Sequence, residues 1–159
     1  MKTFEKSIMV NVPVTQAYNQ WTQFADFPNF MDGVKEVEQL DDKRLRWRAE
    51  IAGKSEVWDA EITEQVPDRH IAWRSTSGAK NSGKIAFTAQ GANQTLVNLE
   101  VGYEPEGPLE NLGGMLGLVS ARVSGDLDRF KEFIEFRQSA TGGWRGEIPA
   151  PAAVVGGNL

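Results

Sequence analysis

The chain has 159 residues, and its 17 lysines and arginines against 22 aspartates and glutamates give a formal net charge of -5. This length fits one domain, which at roughly 150 residues buries about 70 % of its unfolded surface. The absence of cysteine excludes disulfides, thiolate nucleophiles and cysteine-ligated metal sites. The single histidine, His70, excludes sites that need two imidazole ligands. The acidic balance argues against nucleic-acid binding.

The start of the chain predicts a strand followed by two short helices. Residues 2–12 alternate between apolar and polar side chains, as a half-buried strand does, and Pro13 ends the pattern. Apolar residues then recur every three or four positions from Val14 to Phe24, which predicts a helix. Residues 26–33 contain a proline and close on Gly33, which favours a brief helical turn and a loop.

Residues 34–103 predict five or six antiparallel strands, because alternating runs are separated by turn residues at short intervals. Residues 78–83 are interpreted as a flexible hairpin tip between two of them. The basic stretch at residues 43–48 also alternates, so we interpret it as a solvated strand face and not as a nucleic-acid site.

The chain beyond Pro108 predicts one long helix, since apolar residues recur at spacings of three and four from Leu112 to Ile134. Strands and helices are segregated along the sequence, so the expected class is α+β, with a curved antiparallel sheet of six or seven strands wrapped around the C-terminal helix. Residues 1–137 form the expected ligand-binding domain. Residues 138–159, rich in glycine, proline and alanine, are expected to be a dispensable tail whose one anchor candidate is Trp144.

Several short motifs carry a resemblance to a known family. They are IAWRS at residues 71–75, then Gly78, Gly83, Ile85 and Phe87, then YEP at 103–105 and the glycine-rich start of the long helix. Over residues 2–137 the chain resembles the polyketide cyclase/dehydrase and lipid transport superfamily, also called SRPBCC, and within it the coenzyme Q-binding-like branch. The resemblance implies a START-like, helix-grip fold with an apolar cavity between sheet and helix. It implies no reaction, since members include lipid carriers, plant allergens and aromatase/cyclases.

The inward strand faces and the long helix supply the candidate ligand contacts, among which three tryptophans are bulky for a solid core and suit a partly open pocket. Trp47 and Tyr103 are the preferred contacts, although an ordinary buried tyrosine explains Tyr103 equally well. The predicted ligand-binding residues are Trp47, Trp58, Trp73, Phe87, Leu99, Tyr103, Leu116 and Val119. The predicted gate of the cavity is formed by Phe30, Met31, Gly113, Gly114 and Gly117.

The acidic and histidine side chains do not predict a catalytic group. Asp59 and Glu61 share a strand face and are flanked by Glu56 and Glu64, so we interpret this acid-rich strand as solvated on its outer side, with Arg46 or Arg48 as cross-strand partners. His70 follows a turn and is expected at the surface. No catalytic residue, metal or cofactor is therefore predicted.

Three function classes follow from these features. The first is binding or transport of a lipid, quinone or polyketide-like molecule, and the second is a polyketide cyclase or dehydratase. The third is a protein-interaction module with a residual cavity. No apolar run is long enough to span a bilayer, and Asn11 and Pro13 interrupt the N-terminal one, so we expect a cytoplasmic protein without integral membrane association.

Overall fold

The computed structural model describes residues 2–51, 53–78, 80–104 and 113–150, and at Lys2, Ile51 and residues 113–120 it describes the backbone alone. The helices are α1 (Val14–Trp21), a short 3-10 helix (Phe24–Asn29) and α2 (Gly113–Arg137). The strands are β1 (Lys2–Val10), β2 (Val34–Gln39), β3 (Arg44–Ile51), β4 (Lys54–Val66), β5 (His70–Ser77), β6 (Asn81–Gly91) and β7 (Gln94–Tyr103).

The strands form one seven-stranded sheet in the order β1-β7-β6-β5-β4-β3-β2, and every pairing is antiparallel. Only the step from β1 to β2 is not a simple hairpin, because α1 and the 3-10 helix lie between them in the chain. Bulges interrupt the register in β2, β4 and β6, and bulges bend a sheet. The predicted α+β class with a curved sheet and a long C-terminal helix is confirmed.

The core lies between the inner face of the sheet and the helices. On α2, Leu127, Phe130 and Ile134 are fully buried, as their spacing of three and four residues predicts. Trp21 of α1 packs against Phe130 with ring centroids 5.3 Å apart, so α1, α2 and the sheet share one core. The predicted helix face is therefore correct in residues 121–137, the part of α2 whose side chains are described.

The C-terminal segment, residues 138–150, packs against the domain, so the expectation that the chain leaves the fold at Gln138 is wrong for this segment. Ile148 is only 4 % exposed, and its backbone exchanges two hydrogen bonds with Gln65 at the end of β4. The Arg145 guanidinium donates to both carboxylate oxygens of Asp68, at 2.7 and 2.8 Å. These contacts do not depend on a periodic apolar pattern, which is why composition suggested a tail. Residues 151–159 lie outside the described part of the chain.

Candidate functional site

A cavity of about 190 Å³ lies between the sheet, the 3-10 helix and α2. Its described lining is apolar apart from Asn81, Tyr103, Asp126 and the indole nitrogens of its tryptophans. Such a cavity forms because bulky side chains on a curved sheet do not fill all the space beneath a helix. The lining residues are Trp21, Phe24, Phe27, Met31, Leu45, Trp47, Trp58, Ile62, Ile71, Trp73, Asn81, Ile85, Leu99, Val101, Tyr103, Val123 and Asp126.

Two stacked tryptophans form one wall of the cavity. Trp47 and Trp58 are direct cross-strand partners on β3 and β4, and their rings are nearly parallel, at 9° with centroids 5.6 Å apart. Phe27 also packs against Trp47, with ring centroids 5.6 Å apart and the rings tilted by 45°. Neighbouring aromatic rings hold one another in place and present a flat surface to a ligand. The indole Nε1 of Trp47 is buried and has no hydrogen-bond partner among the described residues.

Trp73 on β5 owes its position to a glycine on the adjacent strand. Gly83 is its cross-strand partner on β6, and a Cβ atom built at Gly83 would lie 2.2 Å from the Trp73 ring. Real side chains do not approach so closely, so the indole lies over the backbone only because residue 83 has no side chain. Gly83 therefore fixes where the Trp73 ring lies, although it is not itself in the described lining.

Most of the predicted contacts lie together in this lining, as Trp47, Trp58, Trp73, Leu99 and Tyr103 do. Phe87 does not line the cavity: it is buried elsewhere in the core, edge-on to the Tyr18 ring at 5.6 Å. The side chains of Leu116 and Val119 lie outside the described residues. A role in ligand binding stays a prediction for each of these residues.

The predicted gate is divided between lining and core. Met31 lines the cavity, whereas Phe30 is buried in an aromatic cluster, 5.3 Å from Phe130 and 5.4 Å from Phe133. Phe30 is therefore packed where its ring has little freedom to move. The three glycines of the gate, Gly113, Gly114 and Gly117, lie in the first turns of α2, where only the backbone is described. Gating itself stays a prediction.

Two arginines of α2 fix the loop that follows the 3-10 helix. Arg122 Nη1 donates to the carbonyl oxygens of Asp32 and Glu50, at 2.9 and 3.0 Å. Arg129 Nε donates to the carbonyl oxygen of Phe30 at 3.0 Å. Gly33 has φ of +83°, and a Cβ atom there would lie 1.7 Å from Arg122 Nη1, so glycine is required at this close approach. This side of the cavity is thus tied to α2 at several points.

Asp126 is the one charged residue of the described lining, and it was not among the residues predicted to line the cavity. Its Oδ1 accepts hydrogen bonds from Arg129 Nη2 at 2.6 Å and from the Asp32 N–H at 3.1 Å. Burial raises the pKa of the Asp126 carboxyl above its ordinary value, and the bonds from Arg129 and Asp32 only partly oppose that rise. A signal was present in the sequence, because Asp126 lies three residues after Val123 and four before Phe130, on the apolar side of the helix.

Replacing Asp126 by asparagine is expected to remove one loss of stability that accompanies rising pH. Because the native carboxyl holds its proton more tightly than the unfolded one, the native state binds more protons from about pH 4, the unfolded pKa, up to the raised native pKa. Ionisation of Asp126 therefore lowers the free energy of unfolding as pH rises through that window. In urea unfolding from pH 3.5 to 7, the free energy of unfolding of Asp126→Asn should rise relative to that of the wild type as the pH increases.

Asp128→Asn is the matched control, since it removes a carboxylate from the exposed side of the same helix. Subtracting its pH dependence leaves the part due to burial. The inferred direction of the pKa shift is contradicted if the difference in free energy of unfolding between Asp126→Asn and the wild type stays constant. It is also contradicted if that difference moves in favour of the wild type as pH rises.

The outer face of the sheet carries the ion pairs predicted for a solvated surface. Asp59 accepts from Arg46 Nε at 2.8 Å, and this bond lowers the pKa of the Asp59 carboxyl. Glu61 pairs with Arg74 at 3.2 Å. His70 at the start of β5 is less exposed than the sequence predicted, with 18 % of its side chain accessible. Its Nε2 lies 3.2 Å from a Glu64 oxygen, and it is not in the described lining of the cavity.

Among residues 2–51, 53–78, 80–104 and 113–150, no three histidine or acidic side chains are grouped to hold a metal ion. None of the described helices carries an apolar stretch long enough to cross a membrane.

Comparison with known proteins assigns the family. The model of the polyketide cyclase / dehydrase and lipid transport family matches residues 10–134. A 17.2 kDa protein of Streptomyces lincolnensis from the melC2-rnhH intergenic region, described as uncharacterized, is 45 % identical over 149 residues, covering 93 % of this chain and 99 % of that protein.

Two solved structures show the same fold. The Zhui aromatase/cyclase from Streptomyces sp. R1128 has a TM-score of 0.72 and 19 % identity over 90 % of this chain and 99 % of that one. A START superfamily protein from Mycobacterium smegmatis has a TM-score of 0.67 and 19 % identity over 85 % of this chain and 95 % of that one. The predicted START-like fold is thereby confirmed, while the coenzyme Q-binding-like branch stays a prediction. From the sequence match and the architecture together, the chain belongs to the polyketide cyclase / dehydrase and lipid transport family.

Proposed function

We propose that this protein binds a hydrophobic small molecule containing a ring system, held in the cavity between the sheet and α2. The observation that carries the proposal is the stacked pair of Trp47 and Trp58 in an otherwise apolar lining. Flat aromatic surfaces stack well on planar groups, and burying the ligand's apolar area supplies the binding free energy.

The size of the cavity narrows the ligand class. An engineered apolar cavity of about 150 Å³ is known to bind benzene. A cavity of about 190 Å³ therefore suits a system of one or two rings better than a complete long-chain lipid. A quinone head or the ring portion of a polyketide meets this limit, with any remaining part of the molecule outside the described cavity.

Binding is tested with a ligand carried through purification and with a defined probe. Native mass spectrometry of the purified protein is expected to show a bound species of constant mass that organic solvent releases. N-phenyl-1-naphthylamine is an uncharged fluorescent probe whose naphthalene rings meet this size limit, with its phenyl ring extending outside the described cavity. It should bind at one site per chain with a blue-shifted emission. A protein that takes up no probe and carries no ligand would leave the cavity without a binding role.

A second candidate function is cyclisation or dehydration of a polyketide-like substrate. It is favoured by Asp126, because a lining carboxyl with a raised pKa is suited to moving a proton in an apolar site. The fold of the Zhui aromatase/cyclase agrees with it. Turnover of a polyketide analogue that is lost in Asp126→Asn or Tyr103→Phe would establish this function. Binding remains the first proposal, since Asp126 Oδ1 is already engaged by Arg129 and Asp32.

The cavity does not support a protein-interaction role, because only a filled cavity would favour an interaction module over a ligand-binding protein. The described lining instead leaves open space beside three tryptophans, Trp47, Trp58 and Trp73. A cytoplasmic location stays a prediction.

A further inference from the structure

A polar groove lies on the outside of the turn between β5 and β6, next to the apolar cavity. Its volume is about 470 Å³, and its described lining combines cations with hydroxyl groups. Its lining includes Arg74, Ser75, Thr76, Ser77, Lys80 and Glu104. This chemistry contrasts with that of the cavity, whose described lining holds no basic side chain.

Asn81 lies at the boundary of the two spaces, because it lines both the groove and the cavity. Its cross-strand partner on β7 is Tyr103, which lines the cavity, and the next residue, Glu104, lines the groove. The Asn81 N–H donates to Ser75 Oγ at 3.0 Å, which fixes the strand at this boundary. A ligand that extends past Asn81 and Tyr103 therefore leaves an apolar environment and enters a polar one.

The cations of the groove are weakly held by their present partners. Lys80 Nζ lies 3.3 Å from Glu104 Oε2, and Arg74 Nη2 lies 3.2 Å from Glu61 Oε1. Both cationic side chains are more than half exposed, and exposed ion pairs contribute little net stability because water screens them. Competition from these carboxylates is therefore small when another oxyanion arrives with its own apolar anchor.

We propose that the ligand is an amphiphile whose ring system lies in the cavity and whose oxyanion end lies in the groove, near Lys80 and the hydroxyls of Ser75, Thr76 and Ser77. This inference rests on the proposed function and adds the polar end of the ligand and its orientation. Ammonium, guanidinium and hydroxyl groups together bind sulfonate, carboxylate and phosphate oxygens through charge-assisted hydrogen bonds.

The charge on the opposite side supports this orientation. Asp126 is the only acidic side chain in the described lining of the cavity, and its partner Arg129 is not part of that lining. An oxyanion facing Asp126 would meet a carboxylate in an apolar environment, which is unfavourable. The groove instead carries two cations that stay more than half exposed beside their partners Glu104 and Glu61, on a chain whose net charge is -5.

Two probes that share one apolar body separate the groove from the cavity. N-phenyl-1-naphthylamine is uncharged, and 1-anilinonaphthalene-8-sulfonate is the same molecule with a sulfonate. Fluorescence titration is performed with both probes on the wild type, Lys80→Met and Glu104→Gln. Mutual displacement of the probes establishes that they share a site. Arg48→Met is the control, since it removes the same charge from an ion pair with Glu36 on the outer face of the sheet.

The expected result is a change for the sulfonate probe alone. Lys80→Met should weaken its binding about three- to fivefold, the size of one exposed charge contact. Glu104→Gln should strengthen it, because the competing carboxylate is gone. The uncharged probe should bind all variants equally, and Arg48→Met should change neither probe.

Two results would overturn the inference, and only the second of them also contradicts the proposed function. If the uncharged probe binds but Lys80→Met and Glu104→Gln leave the sulfonate probe unchanged, or alter both probes alike, the groove holds no oxyanion and the proposed function stands. If neither probe binds the wild type, the proposed function fails and this inference fails with it.

Discussion

Ending the chain after Gln138 is expected to lower the free energy of unfolding by at least about 3 kcal/mol. The deletion removes Ile148, which is 4 % exposed, and truncating a buried isoleucine even to alanine costs about 2–5 kcal/mol. It also removes the two backbone hydrogen bonds between Ile148 and Gln65, and the paired bonds from Arg145 to Asp68. Urea unfolding of the two proteins at pH 7 measures the difference.

Single substitutions separate the contributions of the C-terminal segment. Ile148→Ala is expected to account for most of the loss, because burial of an apolar side chain outweighs a partly exposed ion pair. Phe136→Ala is the control, since this large apolar side chain at the end of α2 is 91 % exposed and should change stability little. A truncated protein within about 1 kcal/mol of the wild type would restore the view of a dispensable tail.

Gly83→Ala is expected to weaken binding of N-phenyl-1-naphthylamine by tenfold or more. The added methyl group would lie 2.2 Å from the Trp73 ring, so the indole must move away from β6, and Trp73 lines the cavity. A displaced indole takes up part of a space of about 190 Å³ and removes a ring surface from the wall. Fluorescence titration measures the affinity, and the near-ultraviolet circular dichroism of tryptophan reports the ring movement.

Gly91→Ala provides the matched control for this experiment. It makes the same substitution at the end of the same strand, where a Cβ atom meets nothing within 4 Å, so affinity should be unchanged. If Gly83→Ala binds the probe as well as the wild type while its circular dichroism shows a displaced indole, Trp73 does not contribute to the ligand site.

Local patterns were sufficient for most of the secondary structure and for the inner face of the sheet. Alternation placed Trp47 and Trp58 on the inner side of β3 and β4, because successive strand residues point to opposite faces. The same rule put Asp59 outside, where it pairs with Arg46 as expected. The start of β6 was misjudged: Asn81 and Gly83 belong to the strand, although glycine and asparagine favour turns.

The reason for that error is tertiary, and so is the identity of the site. Gly83 is required by the ring of Trp73 on another strand and not by a turn, and nothing within residues 78–83 indicates this. The spacing of Asp126 indicates the apolar side of α2, but its place in the site depends on the residues that surround the cavity. A local pattern reports only which face a residue occupies, whereas a pocket depends on what stands opposite that face.

The α+β class, the antiparallel meander and the apolar face of the long helix could be predicted from the sequence, because they follow from periodicities of two and of three to four residues. The folded structure was needed to show that Arg145 reaches Asp68, 77 residues earlier, and that Ile148 packs at the core beside Gln65. It likewise decided which inward residues leave space and which fill it, as Trp47 and Phe87 show. Such contacts join residues far apart in the chain, and their free energy depends on shape and distance in the folded molecule, which no local sequence pattern contains.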